Sequence, residues 1–256
     1  MIQSSPISAG DTSAPYRVVI LHGYTGSPDE FRDFAHDLSV RLDAYVTAPL
    51  LPGHGTDVTD LIPLGFDDIY SAAREHVREA HASGKPLIII GHSFSGYLGL
   101  LCAAEFPPIA LVITVMPYHL RFPLNLPMMS YFLRLKLLWD KKMSEQEQRE
   151  RLGKFYYQYM PGKGLWLLLE GKQRVDKILK SITAPTLTVH GNNDSLALPD
   201  SGNALLEKTA RNPRNKAVIL DNKSHGIFYG DGRSDVQALI LQFLETEVLA
   251  QNKKAA

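Results

Sequence analysis

A serine between small residues is the first group in this chain able to do chemistry. Gly91-His92-Ser93-Phe94-Ser95-Gly96 follows the apolar run Leu87-Ile88-Ile89-Ile90 and precedes a helical pattern. A buried strand running into Gly-x-Ser-x-small and then a helix is the arrangement of a nucleophile elbow. The turn is sharp, so the residues two before and two after the nucleophile must be small, and Gly91 and Ser95 are. Such a turn holds the Ser93 hydroxyl at the carboxyl edge of a sheet, beside the positive end of the following helix. The chemistry this predicts is attack on an acyl carbonyl.

A serine hydroxyl is a weak nucleophile alone and needs a base, itself oriented by a third group. In strand–elbow–helix architectures the acid and then the histidine follow the serine along the chain. The apolar run 185–189 leads into His190-Gly191-Asn192-Asn193-Asp194, which places Asp194 in a loop at a strand's carboxyl end. The next run, 217–220, leads into Asp221-Asn222-Lys223-Ser224-His225, which places His225 in the matching loop. Asp194 is favoured as the acid. Asp200 stands close to a helix start it could merely cap, and Asp221 is close to the strand for turning toward the same ring. Of the other histidines, His92 is the elbow's variable position, His54 lies in a Gly-rich loop where it would bond backbone, and His36, His76 and His81 fall on exposed helix faces. No pair of histidines has metal-ligand spacing, so no metal is expected.

Acyl transfer also needs donors for a developing oxyanion. One is the amide after the nucleophile, Phe94. The second belongs to the loop after an early strand, His22-Gly23-Tyr24-Thr25-Gly26-Ser27, where the Tyr24 amide is the candidate. Rival motifs are absent: no Gly-x-Gly-x-x-Gly follows the first strand, and Gly84-Lys85-Pro86 lacks the rest of a phosphate loop.

Positioning these groups requires a sheet whose strands end on one edge. Tyr16–Leu21, Ala44–Leu50, Leu87–Ile90, Ile109–Met116, Thr186–Val189 and Ala217–Leu220 read as strands. Helical patterns alternate with them: one opened by Ser27-Pro28-Asp29-Glu30, with Ser27 as N-cap, and others over 67–82, 95–105, 201–209 and 234–247. Continuous apolar strands alternating with helices predict an α/β fold, mostly parallel and covered on both faces. The stretch 121–177 breaks the rhythm. It offers no convincing strand but helical signals: Pro127 onward, the capping box Ser144-Glu145-Gln146-Glu147, and 165–178. The division expected is therefore a core of 15–120 and 178–250 with a helical cap insertion of 121–177. Within the cap Met128, Met129, Phe132, Leu133 and Trp139 form an apolar group. Packing of the cap explains them most simply; Met128, Met129 and Phe132 are also the candidates to line an acyl pocket.

Composition sets the outer bounds. The chain has 256 residues, 27 basic and 27 acidic side chains, and 45% apolar residues. That is enough chain for a core without staples, and the charge balance gives no general attraction to nucleic acid. A single cysteine, Cys102 in an apolar helix face, excludes an internal disulfide framework. The polar segment Met1–Ala14 has no apolar signal core, and no run reaches the roughly 18 apolar residues of a membrane helix. No integral membrane segment and a cytoplasmic location are therefore expected. The neutral total divides unevenly: 121–177 holds twelve basic and six acidic side chains. Attraction between cap and core accounts for this; a basic cap would also favour transient contact with anionic lipid surfaces.

The chain resembles the α/β-hydrolases of the bacterial carboxylesterase and monoacylglycerol lipase group. The likeness rests on His22-Gly23-Tyr24-Thr25-Gly26-Ser27, on Ala48-Pro49-Leu50-Leu51-Pro52-Gly53-His54-Gly55-Thr56, on the elbow Gly91-His92-Ser93-Phe94-Ser95-Gly96, and on Ser224-His225-Gly226. It implies an α/β-hydrolase fold, hydrolysis of small carboxylic esters of short or medium acyl chains or monoacylglycerols, no cofactor, and a small helical cap between the family's sixth strand and the acid's strand. Ser95 departs from the usual glycine, for which slight strain and not loss of activity is expected. A thioesterase or other acyl hydrolase would use the same triad, and a non-catalytic binding protein could keep the same fold.

Overall fold

The computed structural model describes residues 4–121, 138–140, 155, 157–229 and 233–255. Its centre is a seven-stranded sheet built from β1 (Ile7–Ala9), β2 (Tyr16–Leu21), β3 (Ala44–Ala48), β4 (Leu87–His92), β5 (Ala110–Thr114), β8 (Thr186–Gly191) and β9 (Lys216–Leu220). The spatial order is β1-β3-β2-β4-β5-β8-β9, and only the edge strand β1 runs antiparallel to its neighbour. Two further three-residue strands, β6 (Leu138–Asp140) and β7 (Tyr159–Pro161), pair with each other away from this sheet.

Both faces of the sheet are covered, which explains why β2, β4, β5 and β8 are buried along their whole length. Alternate residues serve opposite faces. Val18, Ile20, Ile88, Ile90 and Val112 pack with α1 (Arg32–Arg41) and α6 (Arg233–Ala255). Val19, Leu21, Ile89, Leu111 and Ile113 pack with α2 (Phe66–Ala82), α3 (Ser95–Glu105), α4 (Lys163–Val175) and Leu205 of α5 (Ser201–Leu206). Each fully buried Ile or Leu is worth roughly 1.5–3 kcal/mol relative to exposure, so the central strands anchor the fold. Cys102 lies in the second layer with no exposure, and burial pushes its thiol up to about 12.

Three local readings are corrected. The polar N-terminus contributes a strand, Ile7–Ala9, registered against Val46–Ala48. Residues 121–177 contain β6 and β7, where no strand is legible from pattern. Ser27 does not cap a helix through its side chain: Pro28–Phe31 is a 3₁₀ turn, α1 begins at Arg32, and the Ser27 hydroxyl donates to the Phe155 carbonyl at 3.2 Å. The signals at Pro127 and Ser144 lie outside the described residues. Among the described residues no helix is long and apolar enough to cross a membrane.

Candidate active site

The carboxyl ends of β2, β4, β8 and β9 all point to one edge, because these strands are parallel. Ser93 follows β4 with φ +53°, a left-handed conformation that costs a residue with a Cβ about 1–2 kcal/mol. The turn is held by hydrogen bonds from the Ser93 amide to Thr114 O (2.8 Å) and from the Gly96 amide to Ser93 O (2.9 Å). It is also so tight that a Cβ on Gly91 would stand 2.5 Å from the Ser95 carbonyl oxygen, which is why glycine is needed there.

Ser93 Oγ lies 2.8 Å from His225 Nε2, and His225 Nδ1 lies 2.8 Å from Asp194 Oδ2. The other carboxylate oxygen of Asp194 accepts from the amides of Leu196 (2.7 Å) and Ala197 (2.9 Å). Burial by itself would raise this carboxyl. The His225 ring, its hydrogen bond and the two amides outweigh that and hold Asp194 below the ordinary aspartate range. The alternative acids are engaged elsewhere. Asp200 Oδ2 is 3.6 Å from His119 Nδ1, and Asp221 accepts from Asn192 Nδ2 at 2.9 Å.

The loop after β2 passes directly over the nucleophile: a Cβ on Gly23 would lie 3.2 Å from Ser93 Cβ. Its carbonyl accepts from the Gly26 amide (2.9 Å) and from His22 Nδ1 (3.1 Å). In a trans peptide the C=O and the following N–H point opposite ways, so these bonds turn the Tyr24 N–H away from them. Among the described residues neither the Tyr24 nor the Phe94 amide donates to a protein acceptor. His22 Nε2 accepts from the Leu51 amide at 3.1 Å, which leaves Nδ1 as the protonated nitrogen. Complete burial, with His54 close by, lowers its basicity well below the usual histidine value.

A second loop braces the first. His54 Nδ1 donates to Pro52 O at 2.9 Å, and Nε2 accepts from the Thr25 amide at 3.3 Å. Thr25 is itself left-handed, φ +66°. Tyr157 then fastens this second loop, its hydroxyl donating to Gly53 O (2.8 Å) and accepting from the Thr56 amide (3.3 Å). The first turn of α4 packs Gly164 against the Tyr24 ring, so closely that a Cβ there would stand 2.5 Å from Tyr24 Cε1. Met128, Met129 and Phe132 lie outside the described residues.

Pattern reading passed over several supporting groups. Asn192 joins the acid loop to the histidine loop, donating to Asp221 and accepting from the Asn222 amide at 2.8 Å. Arg121 donates to the carbonyls of Asp194 (2.6 Å) and Asn192 (3.2 Å). His92 is buried with Nδ1 2.9 Å from Thr114 Oγ1 and Nε2 3.8 Å from Glu30 Oε2. A Gly-x-x-Asp loop after a strand marks where partners of the first kind would be sought; nothing local marks the others. Among the described residues no three His, Cys, Asp or Glu side chains converge as a metal-binding set.

The parallel sheet and its serine turn define a hydrolase-type scaffold, and comparison with known proteins agrees. The profile described as the alpha/beta hydrolase family matches residues 18–236, so the chain belongs to that family. The thermostable monoacylglycerol lipase of Bacillus sp. (strain H-257) is 27% identical over 103 residues, 40% of this chain and 41% of the relative. The match thus spans about two fifths of the length of that curated relative. Among solved structures, one of the metagenome-derived lipolytic enzymes LipS and LipT superposes with a TM-score of 0.79 at 18% identity, covering 95% of this chain and 98% of the other. The monoacylglycerol lipase of Paleococcus ferrophilus gives 0.69 at 17% identity, covering 94% and 98%. A soluble variant of the Saccharomyces cerevisiae monoglyceride lipase gives 0.68 at 17% identity, covering 94% and 91%. The solved structures share the fold of this chain over nearly its whole length.

Proposed function

We propose that this chain is a serine carboxylesterase acting on small carboxylic esters, including monoacylglycerols, through an acyl-enzyme. The observation that carries the reading is the unbroken hydrogen-bonded line Ser93 Oγ–His225–Asp194, with 2.8 Å at each step. The Ser93 oxygen attacks the ester carbonyl carbon as its proton passes to His225 Nε2. The negative charge that collects on the carbonyl oxygen meets the Tyr24 and Phe94 amides. His225 gives its proton to the departing alcohol. Water, deprotonated by the same nitrogen, then attacks the acyl-Ser93 ester; the acyl–Oγ bond breaks, His225 returns the proton to Ser93 Oγ, and the acid leaves. Asp194 orients the imidazole and stabilises its cationic form. Residues 121–177 act as the cap, a reading supported by the contact of Gly164 with Tyr24 and by the staple of Tyr157 on the loop at Gly53. Their basic surplus suits transient contact with anionic lipid surfaces.

The test is labelling by a fluorophosphonate with Ser93→Ala as control, followed by nitrophenyl esters of increasing chain length, a monoacylglycerol and an acyl thioester. Stoichiometric labelling lost in the variant, with turnover best on medium-chain esters, is expected. Absence of labelling overturns the enzyme reading in favour of a binding protein. Faster turnover of the thioester than of every ester reassigns the substrate class.

A further inference from the structure

The β2–β4 ladder ends at the pair Leu21 and Gly91. Beyond that rung the chain after β2 forms the loop carrying the Tyr24 amide and the chain after β4 forms the elbow carrying the Phe94 amide. The two donors must nevertheless stand at a fixed separation if one oxyanion is to meet both. A side chain makes the next bond across the gap: the Ser95 hydroxyl, with no solvent exposure, donates to the carbonyl oxygen of His22. Ser95 is the residue after Phe94, and His22 stands two before Tyr24. The link therefore lies within two residues of each donor. A glycine at position 95 would have no atom able to make it.

We infer that Ser95 is a positioning residue of the oxyanion site, setting the spacing of the Tyr24 and Phe94 amides by tying the β2 loop to the elbow. This inference rests on the hydrolase reading above. Serine at this place thus adds a cross-link where only small size was expected to matter, and its φ is not among the left-handed ones, so the backbone there carries no such strain. Two features of the surroundings make the link consequential. Gly23, between His22 and Tyr24, has no side chain to limit its dihedrals. The Gly23 carbonyl is held by the loop's own His22 and Gly26, so those bonds orient the peptide within the loop but do not register the loop against the elbow.

The experiment compares wild type with Ser95→Gly and Ser95→Ala, neither of which adds bulk to the turn. The measurements are kcat and KM on a nitrophenyl ester, the inhibition constant of a trifluoromethyl ketone that forms a tetrahedral oxyanion on serine, the pH profile, and the melting temperature. Loss of one whole oxyanion donor costs about 10²–10³ in kcat, so a misplaced donor is expected to cost roughly tenfold. Both variants should lose kcat by that factor with KM within twofold, weaken the ketone in the same proportion, and keep the pH profile of the His225 base. A lowered melting temperature with kcat, KM and ketone affinity within twofold of wild type in either variant overturns the inference, as does a fall in kcat with unchanged ketone affinity. Failure of wild type itself to label with fluorophosphonate would instead reject the hydrolase reading.

Discussion

Ser93 Oγ and His225 Nε2 meet at 2.8 Å across 132 positions of chain. Their strands are not neighbours in the sheet; β5 and β8 lie between β4 and β9. The contact therefore depends on the whole parallel edge being in register, and in the proposed acyl-enzyme mechanism the two residues act as one unit. Ser93→Ala and His225→Ala are each expected to lower kcat on the order of 10⁶-fold, and the double variant to be no worse than either. Initial-rate kinetics on a chromogenic ester check this. An additive loss in the double variant would show that the two do not share a step.

Asp194 places one oxygen on the histidine and the other on two amides. Asp194→Asn keeps an acceptor for the amides but turns an NH₂ toward His225 Nδ1, which favours the wrong tautomer. A loss of roughly 10⁴ in kcat is expected, with a small change in melting temperature. The pH dependence of stability gives a second check. The folded-state pKa of Asp194 is depressed, so its contribution is fully present above the unfolded aspartate value near 3.8 and is lost as pH falls through the lower folded value. Denaturant midpoints measured from pH 5 downward should therefore fall less steeply in the variant.

Much of this site was legible because it lies at the ends of apolar runs. Leu87–Ile90 can only be a covered strand, and Ser95–Glu105 is a helix over the range its pattern implies. The choice of Asp194 over Asp200 and Asp221 was not legible to the same degree, since Asp194 and Asp200 both follow β8, Asp221 follows β9, and only the fold directs one carboxylate at His225 while another meets Asn192. The strand Ile7–Ala9 escaped because three residues carry too little alternation to register. Ser27 does stand at the N-cap position its neighbours spell, of a 3₁₀ turn, but its hydroxyl is claimed by Phe155, 128 positions away, instead of by the helix amides. Long-range hydrogen bonds of this kind leave no local signal.

Asn192 fastens the acid loop to the histidine loop with both ends of its amide. Each such bond is worth about 1 kcal/mol net. Asn192→Ala should lower stability by roughly 1–2 kcal/mol and lower kcat severalfold through loss of registry between Asp194 and His225, with KM little changed. Urea unfolding and steady-state kinetics read the two effects separately. Unchanged kcat in a destabilised variant would limit Asn192 to a structural part.

His190 is buried on β8 with Nε2 3.0 Å from Met116 O, and burial lowers its pKa. The sign follows from linkage. The unfolded chain takes up the proton near pH 6.5 while the folded state resists until lower pH, so stability is lost as pH drops below about 6.5. His22, lowered further by complete burial, adds to the same slope. Denaturant midpoints should decline between pH 7 and pH 5, and His190→Gln should flatten part of that decline. A variant with an undiminished slope would place the proton uptake elsewhere.

Tyr157 reaches the loop after β2, the proposed oxyanion loop, through two intermediaries. Its hydroxyl clamps Gly53 and Thr56, the loop they belong to carries His54, and His54 accepts from the Thr25 amide next to Tyr24. Tyr157→Phe keeps the ring's edge contact with Phe155, whose centroid is 5.0 Å away, and removes only the hydroxyl. The Gly53 carbonyl and Thr56 amide then lose one partner each, for an expected loss of about 1 kcal/mol in stability. If the clamp transmits to the Tyr24 amide, kcat falls by a small factor together with the affinity for a trifluoromethyl ketone. Equal losses in both quantities support transmission through His54. A stability loss with catalysis unaltered shows that the His54–Thr25 bond holds the loop without help from Tyr157.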